Sequence, residues 1–402
     1  MNIVILVHDL EEAKARLMPW RTVCEVVNGL RATATTAHLV SLGTQNRAYA
    51  ATNGIPSGTV EIRKTPEWLE RDLRAALQHF QPDVLFWPLS WRESGRRVRL
   101  AGQLGLPIVG YFPGGVNGLG SMLRAGGRLI WHSLHYWIMV RSYLFEAASP
   151  KGLFLRRLAH NRFEHLIGLS NLTVRSAKAF GWPSEKVHLV YPGREEPSAQ
   201  AAVPELPDEV REWLAGSVYY LYMGPPQAIR GVHELLAAFD RAAAIQPELK
   251  LVCLFRSDRV RDADQVRKHI TELRHSARVL GVWGSLAPDA LAAYEAHCHA
   301  LVLPFLIIPS EIPLAIIEPL TWGRPVITTS CGGTGEFVAK FGVVTRPGDV
   351  RGLMTAMLDL AADRDLHQEK CASARNAFLT HPTWSEVAEA WGAVARAAMA
   401  DT

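Results

Sequence analysis

The sequence predicts an α/β protein of two doubly wound domains, each built on a parallel sheet. Three observations carry this. The chain has 402 residues, more than a single compact core ordinarily serves. Short apolar runs alternate with helical stretches, the pattern of βαβ units and a parallel sheet. That alternation runs twice, interrupted by a Pro/Ala/Ser-rich stretch over 195–207 that has no periodicity and reads as a linker. The domains expected are 1–195 and 208–382, joined by 196–207, with a last helix over 383–402.

Composition narrows the function classes. Apolar residues make up 48% of the chain, enough for both domains to bury a core, and the net charge of +4 does not suggest a general nucleic-acid binder. The five cysteines are scattered without metal spacing, which suits a reducing cytosol. The N-terminus, M-N-I-V-I-L-V-H-D, lacks a basic region and begins a strand, so no signal peptide is expected. The longest apolar run, 129–145, is broken by His132, His135 and Arg141, so no membrane span is expected.

In the first domain, strands are expected at 2–7, 83–88, 107–113, 166–170 and 186–192, with helical stretches reaching about Leu30 and over 66–80 and 95–104. The glycine-rich loop Pro113-Gly114-Gly115-Val116-Asn117-Gly118-Leu119-Gly120 follows a strand's carboxyl end. It either admits a sugar close to backbone or is a loop without a ligand. Residues 121–175 differ from their surroundings. They carry Arg124, Arg128, Arg141, Lys151, Arg156, Arg157, Arg162 and Arg175 against only Glu146 and Glu164. Trp131, Tyr136, Trp137, Tyr143, Phe145, Phe154 and Phe163 are interleaved. Rings at headgroup depth with cations on anionic lipid suit an interfacial membrane surface. The alternative is an ordinary core helix with solvated arginines. A nucleic-acid partner is not expected, because no recognised module accompanies the charge.

The second domain restarts with a strand at 218–223, the loop Gly224-Pro225-Pro226-Gln227-Ala228-Ile229-Arg230-Gly231 and a helix to about Ile245. Arg230, at a helix start beside glycines, is placed to grip a phosphate bidentately. Strands follow at 250–255 and 278–283, with Arg256 at the exit of the former as a second candidate cation. Asp262-Ala263-Asp264 and Asp363-Arg364-Asp365 have the D-x-D form of a metal site, but both fall in polar helical stretches and are expected to be solvated. No metal is expected. The last helix starts near Trp384, with Thr383 as its N-cap.

The stretch Leu303–Glu336 organises this domain. It reads as strand end, a loop with Ser310 and Glu311 between Pro309 and Pro313, a helix to about Trp322, a strand over 325–330 and the glycine turn after Cys331. In an open parallel sheet the carboxyl edge is where ligands bind. The amides of Leu314, Ala315 and Ile316 would be unpaired at the helix start, an anion site. Glu318 sits one turn in, too near that site to hold phosphates, and a carboxylate there suits the two hydroxyls of a ribose. Pro319 should weaken the helix.

This stretch resembles the nucleotide-binding signature of the retaining glycosyltransferases of family four. In these a glutamate, seven residues and a second glutamate precede A-x-x-x-G-x-P-V-I; here Glu318 to Ile327 matches the second half. The first half departs: six residues separate Glu311 from Glu318, Ser310 holds the register, and the usual Gly-Phe-Gly is Ile312-Pro313-Leu314. Arg230 matches one of the family's two diphosphate cations, and Pro225 replaces the other. Trp283 and Gly284 resemble its base-binding turn, and Gly332-Gly333-Thr334-Gly335-Glu336 its G-G-x-x-E turn. The glycine pair usual after the first strand is absent.

The resemblance implies the GT-B fold, two Rossmann-like domains facing across a cleft, with the last helix crossing back to the first domain. It implies retaining transfer of a sugar from a UDP-, GDP- or dTDP-linked donor to a glycan, lipid or small-molecule acceptor, without a cofactor or metal. Glu318, Gly224, Arg256, Leu314, Ala315, Trp283 and Gly284 would hold the nucleotide. Arg230 would meet the charge growing on the diphosphate. Glu311, or Ser310 if the register is fixed, would take the donor sugar. The departing phosphate would deprotonate the acceptor. A membrane-docked scaffold without turnover and a nucleotide-sugar isomerase are the alternatives. The expected location is the cytoplasm, with the inner face of the plasma membrane as the docking surface if 121–175 binds lipid.

Overall fold

The computed structural model describes residues 1–50, 54–129, 134–196, 203–256 and 260–401. The first sheet holds β1 (Asn2–His8), β2 (Thr36–Gly43), β3 (Arg47–Ala48), β4 (Val60–Arg63), β5 (Val84–Pro88), β6 (Ile108–Phe112), β7 (Phe163–Gly168) and β8 (Val187–Leu189). Their order is β3-β4-β2-β1-β5-β6-β7-β8. Every pair is parallel except β3 with β4. The second sheet holds β9 (Tyr219–Gly224), β10 (Lys250–Phe255), β11 (Val279–Trp283), β12 (Ala300–Leu303), β13 (Val326–Thr329) and β14 (Val343–Thr345). It is wholly parallel, in the order β11-β10-β9-β12-β13-β14.

The apolar runs explain the sheets. Ile3, Val4, Ile5 and Leu6 are all buried, because helices cover both faces of a parallel sheet and no strand face is left for water. β2, β3 and β4 go beyond the sequence-predicted strands. β3 and β4 are two and four residues long, too short for a periodic signal.

In both sheets the strand order turns back once. After β9 the chain steps outward to β10 and β11, then returns with β12 on the other side of β9. Between β9 and β12, and likewise between β1 and β5, successive loops leave in opposite directions and open a crevice.

The last helix, Trp384–Ala400, packs on the helix Trp20–Ala32 of the first domain. Its Trp391 stacks on Phe86 of β5 at 5.0 Å. Thr383 caps it, as expected, in a reciprocal pair with Glu386.

The segment 121–175 is not one exposed surface. Met122, Leu129, Tyr136 and Val140 bury against Ala228, Ile229, Leu306 and Ile307 of the second domain, and Phe154 and Phe163 lie in the first domain's core. The Tyr136 hydroxyl donates to Asp262 (3.1 Å) and accepts from the Ala228 amide (3.1 Å). This corrects the solvated reading of Asp262, which is buried. Asp264 is exposed beside Arg267, and Asp363 caps the helix Arg364–Leu379. Trp131 and the linker residues 197–202 lie outside the described residues, as do the side chains of Arg124 and Arg128. No described helix is long and apolar enough to cross a membrane.

Candidate active site at the domain junction

The β9–β12 crevice gathers most of the sequence-predicted residues. Gly224 ends β9 at φ 139°, and a side chain there would strike the Arg230 guanidinium at 2.7 Å. Glycine therefore lets Arg230 fold back over the strand's carboxyl end. Arg230 closes a 3-10 turn, Ala228–Arg230, and its guanidinium lies 5.5 Å from the Phe305 ring on the β12 exit. A fixed cation thus stands at the crevice. Arg256 leaves β10 one strand away.

On the outer edge, Trp283 ends β11, and the amide of Gly284 donates to the carbonyl of Phe255 (2.9 Å). Arg267 lies over the Trp283 ring at 4.1 Å, and Phe255 packs against that ring at 4.5 Å.

The loop after β12 departs from expectation at its helix. The expected single helix is an α-turn, Leu314–Ile317, continued as a 3-10 segment, Glu318–Trp322. Pro319 has no N–H to give the Ala315 carbonyl, so the α-pattern ends there. The Ile316 amide, expected free, donates to the Pro313 carbonyl at 2.9 Å. Leu314 is buried and Ala315 half-buried at the turn's start.

Glu311 points into the first domain. Its Oε1 accepts from the Val116 amide (2.9 Å) and the Thr173 hydroxyl (2.9 Å), and Ser170 also faces it. Burial pushes its carboxyl up, against the three donors, which favour the charge. Ser310 donates to the Pro113 carbonyl at 3.3 Å. Beside them Asn117 clasps Ile308 twice, its amide donating to the Ile308 carbonyl (3.1 Å) and its carbonyl accepting from the Ile308 N–H (3.2 Å). A side chain on Gly333 would sit 2.5 Å from Ser170 Oγ, so the glycine turn lies flush against the first domain. The glycine-rich loop therefore meets the β12 loop directly. Ile312, where the resembled family has glycine, adopts φ 32°, a conformation costly for a β-branched residue. Its buried side chain packs with Leu314, Ile317 and Trp384.

Glu318 is half-buried and faces Arg21 of the first domain at 3.5 Å; Arg21 also pairs with Glu195. Burial raises the Glu318 carboxyl and Arg21 opposes this. Behind it Glu295 is buried on the helix Pro288–His297. Burial and the nearby Glu318 push its carboxyl well up, and a bond from Trp322 works the other way. Among the described residues Glu295 Oε1 has no hydrogen-bond partner.

Asn117, Thr173, Arg21 and Glu295 were not singled out in the sequence. Only Asn117 carried a signal, as the one amide in the glycine-rich loop; the others act across distances in chain of 138 to 297 residues, or from the middle of a helix.

Comparison with known proteins places this geometry. Residues 218–363 match the family model described as glycosyl transferases group 1. The second domain is thus similar to the glycosyl transferases group 1. The match takes in every loop at the carboxyl edge of its sheet. Glycogen synthase of Mycobacterium tuberculosis is 30% identical over 196 residues, 48% of this chain and 45% of that protein. The chain thus spans a little under half the length of the curated relative it matches. Among solved structures, sucrose-phosphate synthase from Thermosynechococcus elongatus superposes with a TM-score of 0.70 at 17% identity, over 100% of both chains. Anabaena HepE in complex with UDP and glucose superposes with a TM-score of 0.67 at 15% identity, over 99% of this chain and 100% of that one. Together the two parallel-sheet domains and these likenesses show the GT-B fold.

Proposed function

We propose that the chain transfers a sugar from a nucleotide-sugar donor bound at the β9–β12 crevice. The group 1 match carries this, because it spans the second sheet together with the loops that form the crevice. HepE, on the same fold, has been captured with UDP and with UDP-glucose, which favours a uridine diphosphate donor.

Arg230 meets the diphosphate and opposes the charge that grows there as the glycosidic bond breaks. Glu318 takes the ribose hydroxyls, and Glu311 the donor sugar once the β12 loop parts from Val116 and Thr173. Retention of configuration follows from the resemblance to family four. The leaving phosphate then accepts the acceptor's proton on the same face. Chain chemistry alone serves this step, so activity survives a chelator. The acceptor is a glycan, lipid or small molecule reached from the first domain, in a cytoplasmic setting.

A thermal shift with UDP, GDP and dTDP tests the reading. One of them raises Tm by mass action, and release of free nucleotide from the matching sugar donor then shows transfer. No shift with any of the three, and no release, sinks it. A non-turnover scaffold is favoured by one observation, the Glu311 carboxylate already engaged by the first domain. It is the outcome if a nucleotide binds and no donor is consumed.

A further inference from the structure

We infer that the first domain docks on an anionic lipid surface through the helices Leu134–Ala148 and Lys151–Ala159. This goes beyond the transfer reading and does not depend on it. Packing divides the first helix into two faces. Tyr136 and Val140 face the second domain and are buried. Trp137, Ile138 and Phe145 are 40%, 50% and 61% exposed. At 100° per residue these three and Arg141 fall within about a 100° arc, so the exposed apolar residues form a stripe rather than a scatter. The Arg141 guanidinium lies over the Trp137 ring at 5.1 Å.

The second helix repeats the design with the balance tilted to charge. Leu153 stands 48% exposed, and Arg156, Arg157 and His160 share its face and are exposed. Phe180, exposed, adjoins it through Lys151, whose ammonium lies 5.6 Å from the ring. The acidic side chains of this segment do not offset that charge at the surface. Glu146 is partly buried, and burial raises its carboxyl; Glu164 pairs with Lys186.

Fourteen large apolar side chains stand exposed among the described residues, and seven of them lie between Leu119 and Phe180. A concentration of that kind marks an interaction surface. Rings and aliphatic side chains flanked by arginines complement the headgroup layer of an anionic bilayer: apolar groups enter the acyl boundary and the guanidinium groups meet phosphate. A second copy of this chain would bring arginine against arginine across the same stripe.

The test uses the full chain, with vesicles of phosphatidylcholine alone and vesicles containing phosphatidylglycerol. The chain should sediment with the anionic vesicles and not the neutral ones, and added salt should release it. Trp137→Ser with Phe145→Ser should weaken that binding by about tenfold or more, and so should Arg156→Glu with Arg157→Glu, while Tm stays within a few degrees of the parent. The charge-reversal pair keeps the test valid if the first pair fails to fold. Equal binding to both vesicles, binding to neither, or binding unmoved by the folded variants overturns the inference. So does a concentration-dependent dimer in light scattering that disappears in Trp137→Ser with Phe145→Ser, which would make the stripe a self-association face.

Discussion

Glu318 has two claimants, the Arg21 guanidinium that it faces across the domains and the ribose that it is proposed to bind. Both cannot hold the carboxylate fully. Because the pair is partly exposed, Arg21 contributes at most about 1 kcal/mol. Arg21→Ala should therefore tighten nucleotide binding by up to about fivefold, while Glu318→Ala should weaken it by about 1.5–3 kcal/mol. Titration calorimetry decides this, and unchanged affinity in Glu318→Ala removes the ribose assignment. Glu311 and Ser310 are told apart similarly. Ser310 makes one long bond to a carbonyl, whereas Glu311 brings a carboxylate with three donors already on it. Glu311→Gln should lower turnover by about tenfold, or 1.4 kcal/mol, with nucleotide affinity nearly unchanged. Ser310→Ala should lower it far less. A larger loss from the serine substitution would move the sugar contact to Ser310.

At the scale of elements, the alternation of strand and helix was legible because buried parallel strands must be apolar on both faces. Pro319 was legible as a weak point, and the α-pattern does end beside it. What stayed hidden was whatever depends on a partner far along the chain. Nothing local to Glu311 shows that Thr173 will donate to it, and nothing in Asp262-Ala263-Asp264 shows that Tyr136 will bury the first aspartate. Glu295 was hidden in the same way, reading as one more polar residue of a helix until the 3-10 segment with Glu318 and Trp322 closes over it. Its carboxyl is held above the ordinary range in the fold, so the folded state binds the proton more tightly than the unfolded chain. That stability is full below the unfolded pKa of about 4.3 and is lost as pH rises through the folded value. Glu295→Gln carries no titrating group. Its Tm should match the parent in acid and exceed it increasingly toward alkaline pH. A Tm difference that does not change with pH would show that Glu295 is ionised at no cost.

At the scale of the whole molecule, two of the kinds of contact between the domains should differ in their control of opening. The outer kind is the ion pair of Arg175 with Glu336, bidentate at 2.7 and 2.8 Å with side chains 61% and 38% exposed. Water and salt compete for such a pair, so it contributes about 0–1 kcal/mol despite its geometry. The inner kind is the seam of Asn117 with Ile308 and of Glu311 with Val116 and Thr173, all buried. Removing one partner there strands a buried N–H or carbonyl, at about 1–3 kcal/mol. Asn117→Ala should therefore favour the parted state in which the glycine-rich loop leaves the β12 loop. Arg175→Ala should leave the domains closed. Small-angle scattering should show a larger radius of gyration for Asn117→Ala than for the parent, with Arg175→Ala unchanged. Nucleotide association should also be faster in Asn117→Ala, since the donor enters where the seam lies. If Arg175→Ala opens the molecule as much as Asn117→Ala does, the exposed pair governs closure and the inner seam is only packing.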